Sequence, residues 1–549
     1  GKMPSGGAKG KGKAPAKGKG SRSKKDLPEL SEDRPTNRSR HPASLPSSDD
    51  PPLFENFEDD RIDFPPMPTP GVNDAGDLNS TPNFAVNKIL EVHELILRLK
   101  EQIEHLRWEQ KHTVVPVPGM IQEKLERSGR EMADLTERAQ EDLRTVLSTA
   151  VLAPSFLCRL LQQQHDLLLL SVRLRLFQEE LLFYSSSLDS LAPRCFATLV
   201  VTRQPFPKSI KQHTKSTSSV EDPTVVNLVA APKCDIRPTS PVKANLVTED
   251  YQANRSACTV LNDLQELDET GVATFSDLRF PQGTKKKPVR LQFAVEVQFV
   301  QPDGSIASAV LESNQTSPFV VMTNENQWDE TEGMLFKRDA FSGRPEVSWE
   351  FFANTLQTHY LRATRQEPSN PHRPLSRHDL EHIHRSSFKS RMMVSQRDFE
   401  EFWKHFGKIL HRIRHQKYFF LLWLQGLVYG FVSKDDAKQI LQNEPEGTFM
   451  VRFSDSYSGK VALAYTKADE SGRVGVSHFL VDHEADPRPL PEFLLAHEQH
   501  MISHLLRIPT DFSSSPFSSS RVDKLSVLRP FAPKPKITEY NGYQDGMGK

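Results

Sequence analysis

Residues 447–456, Gly-Thr-Phe-Met-Val-Arg-Phe-Ser-Asp-Ser, decide the fold of the C-terminal part of the chain. They place Arg452 in the middle of an apolar strand, in which successive side chains face opposite sides of a sheet. A buried guanidinium is costly unless an anion meets it, and Ser454 and Ser456 follow with hydroxyl groups that donate hydrogen bonds. The pattern predicts a site for a doubly charged phosphate. The alternative is a structural ion pair of Arg452 with Asp455.

The sequence around this strand predicts a small α/β module, in which a helix, three antiparallel strands and a second helix follow one another. The helices are predicted at 433–441 and 491–502, and the strands at 448–454, 460–466 and 474–482. Lys434, at the start of the first helix, is within reach of the strand face that carries Arg452. An arginine fork beside a lysine charge suits a phosphate dianion.

Composition excludes several classes of protein. The chain has 549 residues, of which 37% are hydrophobic and 26% charged, and its formal net charge is −1, values typical of a multi-domain globular protein. No apolar run is long enough to span a bilayer, and no apolar signal segment begins the chain, so neither membrane insertion nor secretion is expected. The four cysteines form no disulfide framework or zinc-ligand spacing. We therefore expect a reducing compartment, with no metal and no cofactor.

Changes in composition and periodicity divide the chain into six predicted segments, and the predicted fold class is multi-domain α+β. The segments are a disordered basic and proline-rich region (1–82), an antiparallel coiled-coil helical bundle (83–193), an Ig-like β-sandwich (194–330), an all-helical unit (331–425), the α/β module (426–525) and a tail (526–549). Within the all-helical unit, helices are predicted at 347–362, 375–385 and 395–430. The second and third helices of the bundle are predicted at 121–152 and 155–188.

Several stretches resemble one family. Gly430 to Leu441 (GFVSKDDAKQIL), followed by GTFMVRFSDS at 447–456, closely resembles the SH2 domain of STAT transcription factors (signal transducers and activators of transcription). Upstream, 347–349, Trp403 and 421–430 are similar to the STAT linker domain. The stretches 199–205 and 318–324 are similar to the first and last strands of its DNA-binding domain. The similarity covers about 85–545, and the short tail is similar to that of amoebal members.

The resemblance implies roles for the residues of the phosphate site and of the tail. Five residues match the phosphotyrosine-pocket positions of the family one for one: Lys434, Arg452, Ser454, Asp455 and Ser456. The resemblance also implies that a tyrosine after the SH2 domain, once phosphorylated, docks into the pocket of a second copy. Tyr543, preceded by a glycine, is the expected site, and Tyr540 is the alternative.

The resemblance also implies DNA binding by loops of the β-sandwich. Asn324 matches the base-contacting asparagine of the family, and its carboxamide can bond to adenine. The neighbouring Thr323 could meet a phosphate, and candidate backbone contacts come from four lysines: Lys243, Lys285, Lys286 and Lys287. Acidic residues nearly balance the basic ones in this segment, so composition alone indicates no strong basic surface.

The function implied is that of a latent transcription factor rather than an enzyme. An upstream tyrosine kinase would phosphorylate it in the cytoplasm, and the homodimer would enter the nucleus through the import machinery and bind pseudo-palindromic double-stranded DNA. No nucleotide-binding, kinase or hydrolase motif is present. The alternative function is a cytosolic phosphotyrosine adaptor of the Cbl type without DNA binding. Such an adaptor does not need the β-sandwich, and residues 347–430 show no calcium-loop spacing.

Overall fold

The computed structural model describes residues 81–113, 118–185, 193–212, 220–248, 259–301, 303–482, 485–497, 501–508 and 519–531. The predicted disordered region falls almost entirely outside these residues, and so do both tail tyrosines. Within the described part of the chain, no helix combines the length and the apolar character that a membrane span requires.

Three long helices form the bundle: α1 (Thr81–His112), α2 (Gly119–Thr149) and α3 (Pro154–Ser185). Their bounds lie within a few residues of those predicted. On α1, apolar residues spaced by three and four form a fully buried seam: Ile89, Val92, Ile96, Leu99, Ile103 and Leu106. This seam packs against apolar side chains of α2 and α3, as the a and d positions of a coiled coil do.

Ten strands follow. They are β1 (Ala197–Arg203), β2 (Ser209–Lys211), β3 (Thr224–Ala230), β4 (Ile236–Pro238), β5 (Val242–Thr248), β6 (Leu264–Gln265), β7 (Val272–Phe275), β8 (Val289–Val300), β9 (Ile306–Glu312) and β10 (Val320–Met322). One sheet has the order β1-β3-β7, and the other has the order β4-β8-β5-β6, with β9 also paired to β8. β2 and β10 form a parallel pair. Every second residue of β8 is buried, so this strand supplies much of the sandwich core.

The helical unit consists of a 3₁₀ turn (Glu325–Gln327), α4 (Trp328–Phe341), β11 (Glu346–Ser348), α5 (Trp349–Ala363), α6 (Arg377–Phe388), β12 (Met393–Ser395), α7 (Gln396–His415) and α8 (Phe419–Leu424). The antiparallel pair of β11 and β12 joins two helix–strand–helix units. The prediction of one helix over 395–430 was wrong: α7 ends at His415, because Gln416 is extended with φ −76° and ψ 128°, and α8 ends at Leu424.

Helix α4 was not predicted, and the predicted boundary at 331 falls inside it. Gly333 lowers the helix propensity of this segment, but the fold requires a glycine there. A Cβ atom at this position would lie 2.2 Å from Nε1 of Trp403 on α7. The close approach of α4 to α7 therefore overrides the local preference.

The C-terminal module contains α9 (Lys434–Leu441), β13 (Thr448–Phe453), β14 (Val461–Ala468), β15 (Val474–Val481), α10 (Leu490–Ala496), β16 (His504–Arg507), β17 (Ser520–Asp523), α11 (Lys524–Leu528) and a 3₁₀ turn (Arg529–Phe531). The sheet order is β15-β14-β13-β16-β17. The prediction of a helix through Ile502 was wrong. The helix ends at Ala496, His497 is extended, with φ −74° and ψ 140°, and 504–505 pair with the start of β13.

A buried carboxylate lies where the bundle meets the sandwich. Glu180 of α3 is 1% exposed. Its Oε2 accepts a hydrogen bond from Nε2 of Gln110 at 2.5 Å, and its Oε1 accepts one from the backbone N–H of Lys233 at 3.3 Å. Burial raises the pKa of Glu180 to about 7, although these two bonds and the charge of Lys233 oppose the rise.

The buried carboxylate of Glu180 should make the stability of the folded protein depend on pH. Because the pKa of Glu180 is higher in the folded state than in the unfolded state, the folded protein binds more protons between pH 4.5 and 7. Its free energy of unfolding should therefore fall as the pH rises through that window, by up to about 3 kcal/mol. In Glu180→Gln, the difference between urea midpoints at pH 5 and pH 8 should shrink. Substituting the exposed Glu179 by Gln is the control, and an unchanged pH dependence in Glu180→Gln would contradict the assignment.

Candidate phosphate-binding site and nucleic-acid interface

Arg452 lies on the central strand β13 and is 5% exposed. Its Nη1 atom donates to the carbonyl oxygens of Phe453 at 3.0 Å and Val432 at 3.4 Å, and to Oδ2 of Asp455 at 3.1 Å. Its buried Nε atom has no hydrogen-bond partner among the described residues. The guanidinium is therefore held in place through Nη1, and because Nε is shielded from solvent, an anion would approach the Nη2 side of the guanidinium.

The backbone around Arg452 is fixed from two sides. Residues 429–430 pair with β13, since the N–H of Tyr429 donates to the Val451 carbonyl at 2.7 Å and the N–H of Phe453 to the Gly430 carbonyl at 3.0 Å. On the other side, Arg452 lies opposite Ala462 of β14. The short side chain of Ala462 leaves space over this face of the sheet.

Asp455 forms the ion pair that was considered as the alternative to a phosphate. Its carboxylate accepts from Arg452 and also from the backbone N–H of Lys434 at 3.0 Å. This carboxylate is 40% exposed, so it is not a buried counter-ion that saturates the arginine. The side chain of Lys434 is exposed beside it.

The two serines of the site differ in exposure. Ser454 is buried, and its hydroxyl oxygen accepts a hydrogen bond from the backbone N–H of Tyr457 at 3.2 Å. Ser456 is exposed. Ser454 thus shapes the turn after β13, and the hydroxyl of Ser456 is accessible to a ligand.

His478 was not identified from the sequence. It lies on β15 opposite Ala464, on the same sheet face as Arg452. Burial, and then the positive charges of Arg452 and Lys434, lower the pKa of His478, and its Nδ1 atom has no partner within the described part of the chain. The neutral imidazole of His478 can both donate and accept a hydrogen bond at the edge of the site. Its position follows from the register of the strands and not from its spacing in the sequence.

The loop after β13 rests on helix α7 of the helical unit. The hydroxyl of Ser458 donates to the Lys404 carbonyl at 2.6 Å. Gly459 has a φ of 71°, and a Cβ atom there would lie 2.6 Å from Cβ of Lys408. The helical unit therefore supports the phosphate site from outside the module.

The predicted DNA contacts fall into two places. Thr323 and Asn324 are exposed at the end of β10, and Oδ1 of Asn324 accepts from the N–H of Asn326 at 3.0 Å. The loop containing Lys285, Lys286 and Lys287 is adjacent, because the N–H of Thr284 donates to the Val321 carbonyl at 2.9 Å. Lys286 also forms an ion pair with Glu330 at 2.5 Å.

Lys243 lies away from this cluster. It is opposite Ala294 on β8, whereas Val289, five residues away, pairs with Phe319 next to β10. Because a strand rises about 3.4 Å per residue, Lys243 lies about 17 Å along the sheet from this cluster. Instead, the structure adds Lys211, which lies opposite Met322 in the β2–β10 pair and contacts Glu325 at 2.5 Å. Only the pairing of β2 with β10 brings Lys211 to the interface.

A central sheet flanked by two helices, with a buried arginine on its middle strand, defines an SH2 module, here joined to an Ig-like sandwich and a helical bundle. Family models match as follows: a STATa immunoglobulin-like domain at residues 197–322, an EF-hand fold domain at 324–416 and an SH2 domain at 428–503. Over 428 residues the chain is 32% identical to signal transducer and activator of transcription A of Dictyostelium discoideum, covering 77% of this chain and 58% of that protein. Over 459 residues it is 30% identical to protein B of that name and organism, covering 76% of this chain and 39% of that protein. The chain belongs to the STAT family.

The EF-hand match coincides with the two helix–strand–helix units. Calcium-binding EF-hand loops supply carboxylates at their first positions. Here the loop before β12 instead carries Lys389 and Arg391, and Nη1 of Arg391 contacts the carboxylate of Asp398 at 3.1 Å. These residues do not suit a calcium ion, since the arginine already pairs with the carboxylate. Among the described residues, no group of three or more His, Cys, Asp or Glu side chains is arranged to hold a metal.

Proposed function

We propose that this protein is a latent transcription factor that dimerises through reciprocal contacts between the SH2 domain and a phosphotyrosine. A tyrosine kinase phosphorylates Tyr543, with Tyr540 as the alternative, and the dimer moves from cytoplasm to nucleus and binds pseudo-palindromic DNA. The observation that carries the proposal is the guanidinium of Arg452, which is buried on the central strand and, among the described residues, bonded through Nη1 alone. The chain spans 58% and 39% of the two relatives that it matches over most of its length.

The chemistry of the site favours a phosphate over a carboxylate ligand. Phosphorylation adds about −1.5 to −2 charges and three strong acceptor oxygens. Asp455 contributes one carboxylate, which contacts Nη1 of Arg452. A phosphate can accept from the guanidinium of Arg452, from the exposed Lys434 and from Ser456 at once.

Two identical contacts make dimerisation stronger than one contact would. If each copy inserts its tail into the partner, the complex is a closed two-fold dimer. Once one contact forms, the second is intramolecular and benefits from a high effective concentration. The dimer would place two sandwiches beside a duplex, where the cluster of Thr323, Asn324, Lys211 and Lys285–Lys287 supplies polar and basic contacts.

The experiment phosphorylates the purified protein with a tyrosine kinase and measures its mass in solution by light scattering. The mass should rise from 62.3 kDa to about twice that value. Tyr543→Phe should remain monomeric after the same treatment, and Tyr540→Phe should dimerise like the unchanged protein. A phosphorylated protein that stays monomeric would rule out the mechanism.

DNA binding is tested on the same phosphorylated dimer by selection from a pool of randomised duplexes. We expect enrichment of a pseudo-palindromic site. Asn324→Ala should weaken binding to the selected duplex by about 10-fold, as expected when one base contact is lost. The exposed Asn326→Ala provides the matched control. Dimerisation without enrichment of any duplex would favour the adaptor alternative.

A further inference from the structure

A cavity of about 430 Å³ opens where the bundle, the sandwich and the helical unit meet. Its size lies within the range of small-molecule sites in proteins. One wall is a single face of α5, whose residues recur at spacings of three and four: Phe351, Thr355, Thr358 and Arg362. The opposite wall contains Leu147 of α2 and Leu157 and Leu161 of α3.

The cavity carries an excess of positive charge. Its lining contains five Lys or Arg side chains and two carboxylates among the described residues. Both carboxylates already have partners, because Asp339 pairs with Lys208 and Glu332 contacts His359 at 3.1 Å. Of the remaining cations, Arg144 pairs with Glu141 and Arg414 with Glu221, each at 2.9 Å. Within the described residues this leaves Arg344 and Arg362 without an ion pair.

Arg362 is the cation of the cavity lining that is most important for ligand binding. Its side chain makes no hydrogen bond or ion pair with the described residues, although Asp339 and Asp222 act on it at longer range. Its side chain is exposed because the cavity is open to water. Protein nevertheless surrounds it closely enough that burial lowers the pKa of the guanidinium. An arginine held in a recess without a partner is a strong attractor for an anion.

Arg414 is a further arginine of the cavity lining. Its side chain is 5% exposed, and its two terminal nitrogens donate to the Ala363 carbonyl at 2.7 Å and the Glu221 carboxylate at 2.9 Å. Its Nε atom has no partner in the described part of the chain, but it has almost no accessible surface and so does not face the cavity. Arg414 therefore forms a fixed part of the cavity wall, and Arg362 is the arginine that a ligand can reach.

We propose that this cavity binds a small organic phosphate, with its phosphate group at Arg362 and its ring or chain against the leucines of α2 and α3. The two kinds of lining suit a ligand that is anionic at one end and apolar at the other. The walls are held together without the ligand. The buried Asn354 donates to the Leu147 and Ala150 carbonyls at 3.1 and 2.7 Å and accepts from the Leu152 N–H at 2.9 Å. The ligand would thus enter a preformed site and further join the three domains.

The test uses calorimetric titration of the full unphosphorylated chain with two probes, ADP and 1-naphthyl phosphate. At least one probe should bind with Kd below about 1 mM. If that probe is ADP, adenosine and inorganic pyrophosphate should each bind at least tenfold more weakly than ADP. Arg362→Gln should raise the Kd of the bound probe at least tenfold. Arg377→Gln, at an exposed arginine of α6, and Arg452→Ala, in the SH2 site, should leave it within twofold.

A second variant tests the apolar wall independently of the charge. Leu161→Trp enlarges a partly buried side chain into the cavity and should also raise the Kd at least tenfold, with an unchanged circular dichroism spectrum. The proposal is wrong if neither probe binds below about 1 mM. It is also wrong if Arg362→Gln and Leu161→Trp both bind like the unchanged protein, or if Arg452→Ala abolishes binding.

Discussion

Arg452→Ala should weaken binding of a phosphotyrosine peptide at least 100-fold. The guanidinium is the buried cation of the site, and each charge-assisted hydrogen bond to a phosphate contributes about 1.5–3 kcal/mol. Two such bonds account for at least a 100-fold loss. The measurement is fluorescence polarisation with a labelled peptide of residues 538–548 phosphorylated at Tyr543, and a second peptide phosphorylated at Tyr540 compares the two tyrosines.

Two further variants separate charge from geometry. Arg452→Lys keeps the positive charge but loses the planar fork, so its affinity should fall between those of the unchanged protein and Arg452→Ala. Arg473→Ala removes an exposed arginine of the same domain, near the turn between β14 and β15, and should bind normally. If Arg452→Ala binds the peptide as tightly as Arg473→Ala does, the phosphate site lies elsewhere.

Asp455 gives this site a defined state without ligand. Its carboxylate bonds to Arg452 and to the N–H of Lys434, and a phosphate would compete for these same donors. Breaking this ion pair costs the same free energy for every anion that takes its place, so the pair lowers the affinity of the proposed site without ranking ligands by charge. In the unliganded protein its role is to hold the guanidinium of Arg452 in one position.

Elements with a clear period could be predicted from the sequence. The seam of α1 and the alternation of β8 are local patterns, because each buries one face of its own element. Arg452 was recognised in the same way, as a charge within an apolar strand. These features depend on neighbouring residues alone.

Features that depend on contacts between distant segments could not be predicted. Helix α4 requires Gly333 because Trp403 approaches it, a contact of residues 70 positions apart. Lys211 reaches the cluster of Thr323, Asn324 and Lys285–Lys287 through the pairing of β2 with β10, and His478 reaches the candidate phosphate site through the register of β14 and β15. In each case the position of the residue is determined by a partner that is distant in the sequence, so the local sequence alone does not predict it.

Arg373→Met should destabilise the junction between the helical unit and the SH2 domain by about 3–5 kcal/mol. Arg373 is 2% exposed. Its guanidinium stacks 3.7 Å from the ring centroid of Trp423 and donates to the carbonyls of Trp423, Val428 and Tyr429. Methionine retains much of the volume but removes the buried donor of the Val428 and Tyr429 carbonyls, whereas the Trp423 carbonyl keeps the Gly426 N–H at 3.0 Å.

The consequence should extend from Arg373 to the phosphate site. Its carbonyl partners lie next to residues 429–430, which pair with the strand that carries Arg452. Loss of the guanidinium should therefore loosen this pairing. Hydrogen exchange of the Tyr429 and Phe453 amides should accelerate about 100- to 1,000-fold if they open through the destabilised junction. This local measurement is preferable to a single unfolding midpoint, because a multi-domain chain need not unfold in one step.

Arg377→Met is the matched control, since Arg377 is exposed and pairs only with Glu381 on its own helix. Its amide exchange should equal that of the unchanged protein. In Arg373→Met, phosphotyrosine affinity should fall together with amide protection, because Arg452 would no longer be held on a rigid strand. Normal protection of Tyr429 and Phe453 in Arg373→Met would show that the helical unit does not stabilise the phosphate site through this arginine.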